Sequence, residues 1–207
     1  MYTPELFKST DLARIQELIR DYSFATLITP ANELHITHVP LLLREDGGKT
    51  FLIGHMARAN SHWKALEGKE SVTIFNGPHT YITPSWYQNV ENVPTWNYAV
   101  VHAHVKARLI LDDAILRQDL EELVKTNEKR YGTSWSMDLL SPEYVGSLSR
   151  GIVGFHLEVV RLEPKFKMSQ NRAPEDRAGV LEGLLSREDE MSKKVLKWMR
   201  HTDTVEE

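Results

Sequence analysis

The first third of the chain alternates apolar and polar positions in short runs, a pattern typical of β-strands. Pro40 falls within the second run and has no N–H to donate, which predicts an edge strand or a bulge there. Two later runs are rich in β-branched and aromatic residues and predict two more strands. The predicted strands are 24–29, 34–43, 50–56, 71–76, 96–111 and 151–162.

Helical spacing of apolar residues appears between and after these strands. Leucine and isoleucine positions three and four apart predict an opening helix at 10–21, and the most regular pattern predicts a helix at 112–131 that ends at Gly132. A short helix is predicted at 59–66, and two more begin near Pro174 and Ser186. Between the strands, segment 77–95 contains Gly77-Pro78 and Pro84, which predicts a long structured loop.

About six strands joined mostly by turns indicate an α+β fold. We expect a small antiparallel split β-barrel with flanking helices and a helical C-terminal tail, rather than a parallel α/β sheet. The domain prediction is a barrel domain at 1–164 and a helical extension at 165–207, which packs on the barrel or on a partner subunit.

Composition excludes several classes of protein. The 207 residues are 41% hydrophobic and 26% charged, and no apolar run approaches the roughly 20 residues that span a membrane. The N-terminal residues show no secretory pattern, and the absence of cysteine excludes disulfides and thiolate chemistry, so a cytoplasmic location is expected. A net charge of −4 gives no general attraction to nucleic acid, so neither charge nor motif supports DNA binding, which would need a local patch.

The sequence GHMARAN at 54–60 is the first candidate binding feature. Arg58 and Asn60 fall where a strand passes into a helix, so their side chains and free backbone N–H groups could converge on a phosphate, with His62 and Lys64 nearby. An ordinary surface arginine would fit the same spacing. Aromatic residues around Trp86 and Trp96 could stack on a flat ligand or simply fill a core.

Other chemistry has weaker support. Five histidines fall in predicted strands, and His102 and His104 share a face, but no spacing supplies a third metal ligand. Asn97, between two large aromatic residues, needs a hydrogen-bond partner if it is buried. No dinucleotide fingerprint, P-loop, nucleophile elbow or other catalytic motif is present, so hydrolase and kinase functions have no support.

Five segments taken together resemble the PaiB family of FMN-binding negative transcriptional regulators. They are ITHVPLLL (36–43), GHMARAN (54–60), GPHTYITPSWY (77–87), VPTWNYAVVH (93–102) and KMSQNR (167–172). The resemblance covers nearly the whole chain in the same order. It implies a split β-barrel that forms a homodimer, with FMN bound at the subunit interface, and the barrel agrees with the fold predicted from the strand pattern.

The resemblance also implies a set of cofactor-binding residues. Arg58 and Asn60 would bind the FMN phosphate and ribityl chain, the backbone around Thr37, His38 and Val39 would line the isoalloxazine ring, and His55 would lie beside them. The second subunit would contribute Trp96, Asn97, Gln170 and Arg172. No residue is assigned to a metal.

The sequence therefore leads to an FMN-binding regulatory protein as the first hypothesis. The alternative is an FMN-dependent oxidoreductase, either a flavin reductase or a pyridoxamine-phosphate-oxidase-like enzyme, which would use the same site. A haem- or metal-handling split barrel that uses the strand histidines is the third hypothesis. No helix-turn-helix motif is found, so an effect on transcription would be indirect or would depend on a partner.

Overall fold

The computed structural model describes residues 1–89 and 91–202. The strands are β1 (Phe24–Pro30), β2 (Leu34–Pro40), β3 (Leu42–Asp46), β4 (Lys49–Ala57), β5 (Glu70–Ile82), β6 (Thr95–Ile110) and β7 (Ile152–Lys167). The helices are α1 (Leu12–Asp21), α2 (Trp63–Leu66), α3 (Asp113–Tyr131), α4 (Pro142–Ser149), α5 (Pro174–Leu185) and α6 (Glu190–Thr202).

Within this described part of the chain, the strands form one antiparallel sheet in the order β2-β1-β5-β6-β7-β4-β3. The predicted α+β class, with a small antiparallel sheet and flanking helices, is therefore confirmed. The sheet has seven strands where the sequence predicted about six.

The chain divides into two compact units. The first unit comprises Met1–Tyr22, Phe75–His102 and the chain from Glu163 onward, and the second comprises Ser23–Ile74 and Ala103–Leu162. Strands β5, β6 and β7 each pass from one unit into the other. The predicted boundary between residues 164 and 165 stays a prediction, and positions 203–207 of that predicted extension lie outside the described residues.

The extra strand arises because the predicted strand 34–43 is interrupted at Leu41. Strand β2 ends at Pro40, which pairs with Phe24 at the edge of the sheet, as its missing N–H requires. Leu41 then turns inward, with 2% of its surface exposed, and its N–H donates to the Ser23 carbonyl at 2.9 Å. The chain leaves Leu41 as β3, which pairs with β4 instead of β1.

The prediction of a loop over 77–95 is wrong at its start. Strand β5 continues to Ile82, and Gly77 and Pro78 are buried within it. A Cβ atom at Gly77 would lie 2.9 Å from the Ala99 carbonyl oxygen, so glycine here permits close approach of backbone rather than a turn. Strand β7 likewise continues to Lys167, beyond the predicted end at 162.

Helix α3 matches its prediction closely because both of its ends are encoded locally. The Asp112 carboxylate accepts hydrogen bonds from the N–H groups of Ala114 and Ile115, at 2.8 and 3.1 Å. Gly132 ends the helix in the left-handed conformation at φ 70°. Leu116 and Leu123, seven residues apart, form its buried face.

In the first unit, helix α5 packs directly on Trp86. The side chain that would be added by any other residue at Gly179 or Gly183 would overlap the Trp86 carbonyl oxygen or its indole ring. These two glycines, four residues apart on one helical face, therefore form the surface that receives Trp86.

Replacing Gly179 by alanine is expected to destabilise the protein by about 1–3 kcal/mol, because the new methyl group overlaps backbone that cannot rotate away. Gly146→Ala in α4 is the matched control, since its Cβ would meet no atom within 4 Å. Gly146→Ala is expected to stabilise the protein by about 0.5–1 kcal/mol, because alanine loses less backbone entropy on folding than glycine does. Urea denaturation measures both, and a Gly179→Ala protein as stable as its parent would contradict this packing.

Candidate functional site

The turn after β4 carries Arg58, whose guanidinium is fixed by backbone carbonyls of the second unit. Its Nε donates to the Arg150 carbonyl at 2.8 Å and its Nη2 to the Ile152 carbonyl at 2.9 Å. The Arg58 N–H also donates to the Gly151 carbonyl at 2.8 Å. The exposed side chain keeps both N–H groups of Nη1 without a partner among the described residues. Arg58 therefore presents a preoriented, positively charged pair of donors.

Asn60 is committed to the structure of the same turn. Its Oδ1 accepts the His62 N–H at 3.0 Å, and its Nδ2 donates to Thr37 Oγ1 at 3.1 Å. The N–H groups of Asn60, His62 and Lys64 are all bonded within the turn, so the predicted free backbone donors are used there. The predicted helix 59–66 is shorter for the same reason, since α2 begins only at Trp63.

A chain of buried polar side chains continues inward from Asn60. Thr37 Oγ1 lies 2.8 Å from His62 Nδ1, His62 Nε2 lies 2.8 Å from Thr29 Oγ1, and Thr29 Oγ1 lies 2.8 Å from Ser71 Oγ. His62 is only 2% exposed, and its ring stacks on that of His35 at 5.4 Å between centroids. Burial and the neighbouring His35 lower the pKa of His62 to about 4, so its imidazole is neutral at pH 7.

His55, in strand β4, contains an unusual polar atom. Its Nδ1 is buried and has no hydrogen-bond partner in the described part of the chain. Burial lowers the pKa of His55, which keeps the ring neutral. A buried nitrogen without a partner costs free energy unless a ligand or water satisfies it, so this atom fits a binding role.

Thr37, His38 and Val39 lie together in the edge strand β2. Val39 is 2% exposed and belongs to the core, His38 is exposed and packs beside the Phe24 ring at 6.2 Å, and Thr37 is half-buried in the polar chain. Because β2 ends the sheet, only one of its two edges is paired with another strand among residues 1–89 and 91–202.

The remaining predicted residues lie in the first unit, and two of them are committed to the fold. Asn97 is fully buried, and its amide exchanges hydrogen bonds with Ser169 Oγ at 2.9 and 3.1 Å, which supplies the partner that the sequence predicts. Gln170 accepts from the Met168 N–H at 2.5 Å and donates to the Phe166 carbonyl at 2.6 Å. Both side chains brace the segment after β7.

Trp96 and Arg172 are more accessible. The Trp96 ring is 52% exposed and meets the edge of Tyr81 at 6.1 Å. Arg172 donates to the Asn92 side chain and lies over the Tyr87 ring, 4.7 Å from its centroid. The indole face and the guanidinium are therefore groups that can still contact a ligand.

Sequence reasoning missed a cluster of cations beside these residues. Lys165 lies over the rings of Tyr2 and Tyr98, and Lys167 donates to the Thr95 hydroxyl. Burial, Lys165 and Arg172 together lower the pKa of Lys167, as expected for like charges held close together. Alternation along β7 places Lys165 and Lys167 on one face, but the predicted strand ended at 162 and did not include them.

The histidines considered as metal ligands are placed differently. Both ring nitrogens of His104 lie about 3 Å from the Arg161 guanidinium, at 3.1 and 3.0 Å. Across residues 1–89 and 91–202, no three His, Cys, Asp or Glu side chains converge where a metal ion would bind. Over the same residues, no helix is both long and apolar enough to span a membrane.

Residues 1–161 match the protein family described as "Putative FMN-binding domain". The chain belongs to this FMN-binding family. It is 36% identical over 201 residues to protease synthase and sporulation protein PAI 2 of Bacillus subtilis, covering 96% of each chain. It is 31% identical over 225 residues to an uncharacterized protein of Emericella nidulans, covering 88% of this chain and 90% of that protein.

Solved structures with the same fold include two flavin-associated proteins. The FAD and haem binding protein of Mycobacterium smegmatis matches with a TM-score of 0.59 and 15% identity, over 83% of this chain and 78% of that one. A flavocytochrome of Azotobacter vinelandii matches with a TM-score of 0.56 and 17% identity, over 83% and 75%. At these identities the likeness shows the fold alone.

Membership of the FMN-binding family confirms the predicted PaiB resemblance and FMN as the cofactor. The residues around Arg58 and His55 fit that cofactor, because they combine an oriented cation with a buried nitrogen that lacks a partner. The family match ends at residue 161, before Lys165, Gln170 and Arg172.

The unfolding free energy is expected to fall as pH drops from about 6.5 to about 4, because the unfolded chain then protonates His62 while the folded chain does not. The His62 contribution is about 1.4 kcal/mol per pH unit and about 3 kcal/mol in total. Above pH 6.5 both states are neutral and the contribution is constant.

Comparing the parent with His62→Gln isolates this effect from the carboxylates, which titrate equally in both proteins. Urea denaturation between pH 4.5 and pH 8 should give a shallower pH slope for the variant, whatever its stability at neutral pH. Identical slopes for the two proteins would contradict the burial of a neutral His62.

Proposed function

We propose that this protein is a homodimeric, cytoplasmic FMN-binding regulator of the PaiB type. The observation that carries the FMN site is the Arg58 guanidinium, which is oriented by two backbone carbonyls and still has donors to offer. The regulatory part is supported by the Bacillus relative, which is named for protease synthesis and sporulation.

Arg58 binds the phosphate end of FMN in this proposal. A guanidinium held by Nε and Nη2 keeps Nη1 in a fixed direction, so little conformational entropy is lost when a phosphate oxygen binds. Asn60 shapes the turn and retains one amide N–H for the phosphate or the ribityl chain.

The isoalloxazine ring lies along the backbone of Thr37, His38 and Val39, with His55 beside it. The neutral His55 ring can satisfy its buried Nδ1 through a polar atom of the flavin. When bound, FMN supplies a ring system that accepts and returns one or two electrons. The protein's own residues hold and orient that ring, and no catalytic residue is assigned.

The second subunit contributes Trp96, Asn97, Gln170 and Arg172 to the proposed site. Trp96 covers the ligand with its exposed ring, while Asn97 and Gln170 hold the backbone that carries Arg172. A bound anion would stabilise the crowded cations Lys165, Lys167 and Arg172, because its negative charge offsets the repulsion among them.

A direct effect on DNA would have to overcome the net charge of −4. The proposal is therefore that the flavin-bound dimer acts through a partner or indirectly.

Visible spectroscopy of the protein after FMN addition tests cofactor binding, and sedimentation tests dimer formation. A protein that takes up no FMN and stays monomeric would overturn the proposal. Turnover of NAD(P)H by the bound FMN would instead identify the oxidoreductase alternative.

Arg58→Ala is expected to weaken FMN binding by about 10- to 100-fold, since hydrogen bonds to a charged group contribute about 1.5–3 kcal/mol. Riboflavin lacks the phosphate and should bind parent and variant with equal affinity. Isothermal titration measures both ligands. Arg150→Ala is the matched control, because that exposed arginine uses only its backbone carbonyl in the turn.

An equal loss of FMN and riboflavin affinity in Arg58→Ala would show that the arginine supports the fold of the site instead of binding phosphate. A thermal melt of each variant separates this outcome from general unfolding.

Trp96→Ala is expected to increase the fluorescence of bound FMN several-fold, because an indole stacked on the flavin quenches it by electron transfer. Affinity should fall by about tenfold, as for the loss of one aromatic stacking contact. Trp135→Ala is the control, since Trp135 is similarly exposed at 44% in the loop after α3. Unchanged fluorescence in Trp96→Ala would remove Trp96 from the site.

A further inference from the structure

A cavity of about 440 Å³ lies on the sheet of the second unit, among strands β3, β4, β6 and β7. None of the ten proposed FMN residues lines it. Its size is within the range of small-molecule pockets in proteins, and its lining combines apolar and charged side chains.

The floor of the cavity is apolar and partly aromatic. Phe51 and Ile53 line the cavity from β4, where Ile53 is fully buried and pairs with His156 of β7. The rings of Phe51 and His156 are tilted by 57° with centroids 6.4 Å apart, which gives the floor an angled aromatic wall. A flat apolar molecule would find packing surface there.

Four of the lining residues are lysines or arginines, and two, Asp46 and Glu158, are carboxylates. The cations fall into two classes. Arg44 is neutralised by Asp119 at 2.8 Å and by Glu122, and Lys49 pairs with Glu158 at 2.8 Å. By contrast, Lys106 and Arg108 form no ion pair or hydrogen bond through their side chains within residues 1–89 and 91–202. They lie two residues apart on β6 and therefore share a face.

His156 adds an oriented polar group. Its Nε2 lies 2.6 Å from Asp119 Oδ2, and Asp119 is 4% exposed. Because a carboxylate oxygen can only accept, Nε2 carries the proton of this hydrogen bond. The carboxylate thus fixes the orientation of the imidazole at the cavity wall.

We infer that this cavity is a second ligand site, for a small aromatic acid. Lys106 and Arg108 bind its carboxylate or phosphate group, Phe51 contacts its ring, and the oriented His156 imidazole hydrogen-bonds a ring substituent. In a regulatory protein such a site would receive an effector, but the inference rests only on the cavity and does not require FMN binding.

The test is calorimetric titration of the full-length, FMN-treated protein with three probes. 1-Naphthoate carries both the ring and the charge, 1-naphthalenemethanol carries the ring alone, and acetate carries the charge alone. 1-Naphthoate should bind, the neutral alcohol should bind at least about tenfold more weakly, and acetate should show no binding.

The double variant Lys106→Gln/Arg108→Gln should lose at least about tenfold in 1-naphthoate affinity. The matched control Lys125→Gln/Lys129→Gln removes two exposed charges from α3 and should bind like the parent. Phe51→Leu should weaken 1-naphthoate while leaving the charge unchanged, and a thermal melt verifies the folding of each variant.

Three results would overturn the inference: no binding of 1-naphthoate, equal binding of the neutral alcohol, or equal losses in the double variant and its control. Release of FMN by 1-naphthoate, read from the flavin absorption spectrum, would also overturn it by placing both ligands in one site. A protein that binds no FMN but binds 1-naphthoate as described would leave this inference standing and remove only the proposed function.

Discussion

The buried polar chain from Asn60 through Thr37, His62 and Thr29 to Ser71 is the constraint on which the candidate site depends. It ties the turn after β4 to strands β1, β2 and β5, and its inner members Thr29, His62 and Ser71 satisfy one another out of contact with water. Removal of one member leaves another buried group unpaired, at a cost of about 1–3 kcal/mol. The polar chain therefore holds the turn from its inner side, while the Arg150 and Ile152 carbonyls orient the Arg58 guanidinium at the surface.

Residue type alone could not separate side chains that build the site from those that remain available to a ligand. Asn60, Asn97 and Gln170 are all amides and were all predicted as ligand contacts, yet the structure commits each largely to its own surroundings. Arg58, Trp96 and Arg172 keep exposed faces or unused donors. The amides are thus better understood as positioning residues, and the cations and the indole as the groups that can meet a flavin.

Features encoded by neighbouring residues were predictable, and features that depend on distant packing were not. Helix α3 has its N-cap aspartate and its terminal glycine in the local sequence, and its bounds were predicted nearly to the residue. Gly77 looked like a turn residue, but its role is to admit the distant Ala99 backbone. The sequence analysis gave His62 only as a further group near Arg58. Its partners Thr37 and Thr29 lie in β2 and β1, 25 and 33 residues earlier in the chain, so the sequence did not indicate the contacts. The cation cluster around Lys167 required knowledge of how β7 continues into the following segment.

The pairing of β4 with β7 joins two segments that are far apart in the chain, which bears on how the protein folds. Phe51 pairs with Glu158, about a hundred residues later, so β4 has only β3 as a partner until most of the chain has been made. Contacts this distant in sequence impose a large loop-closure entropy and slow folding relative to helical proteins of similar size. The buried side chains of Leu52 and Ile53 in the β3–β4 hairpin therefore reach their final packing only after β7 has joined the sheet.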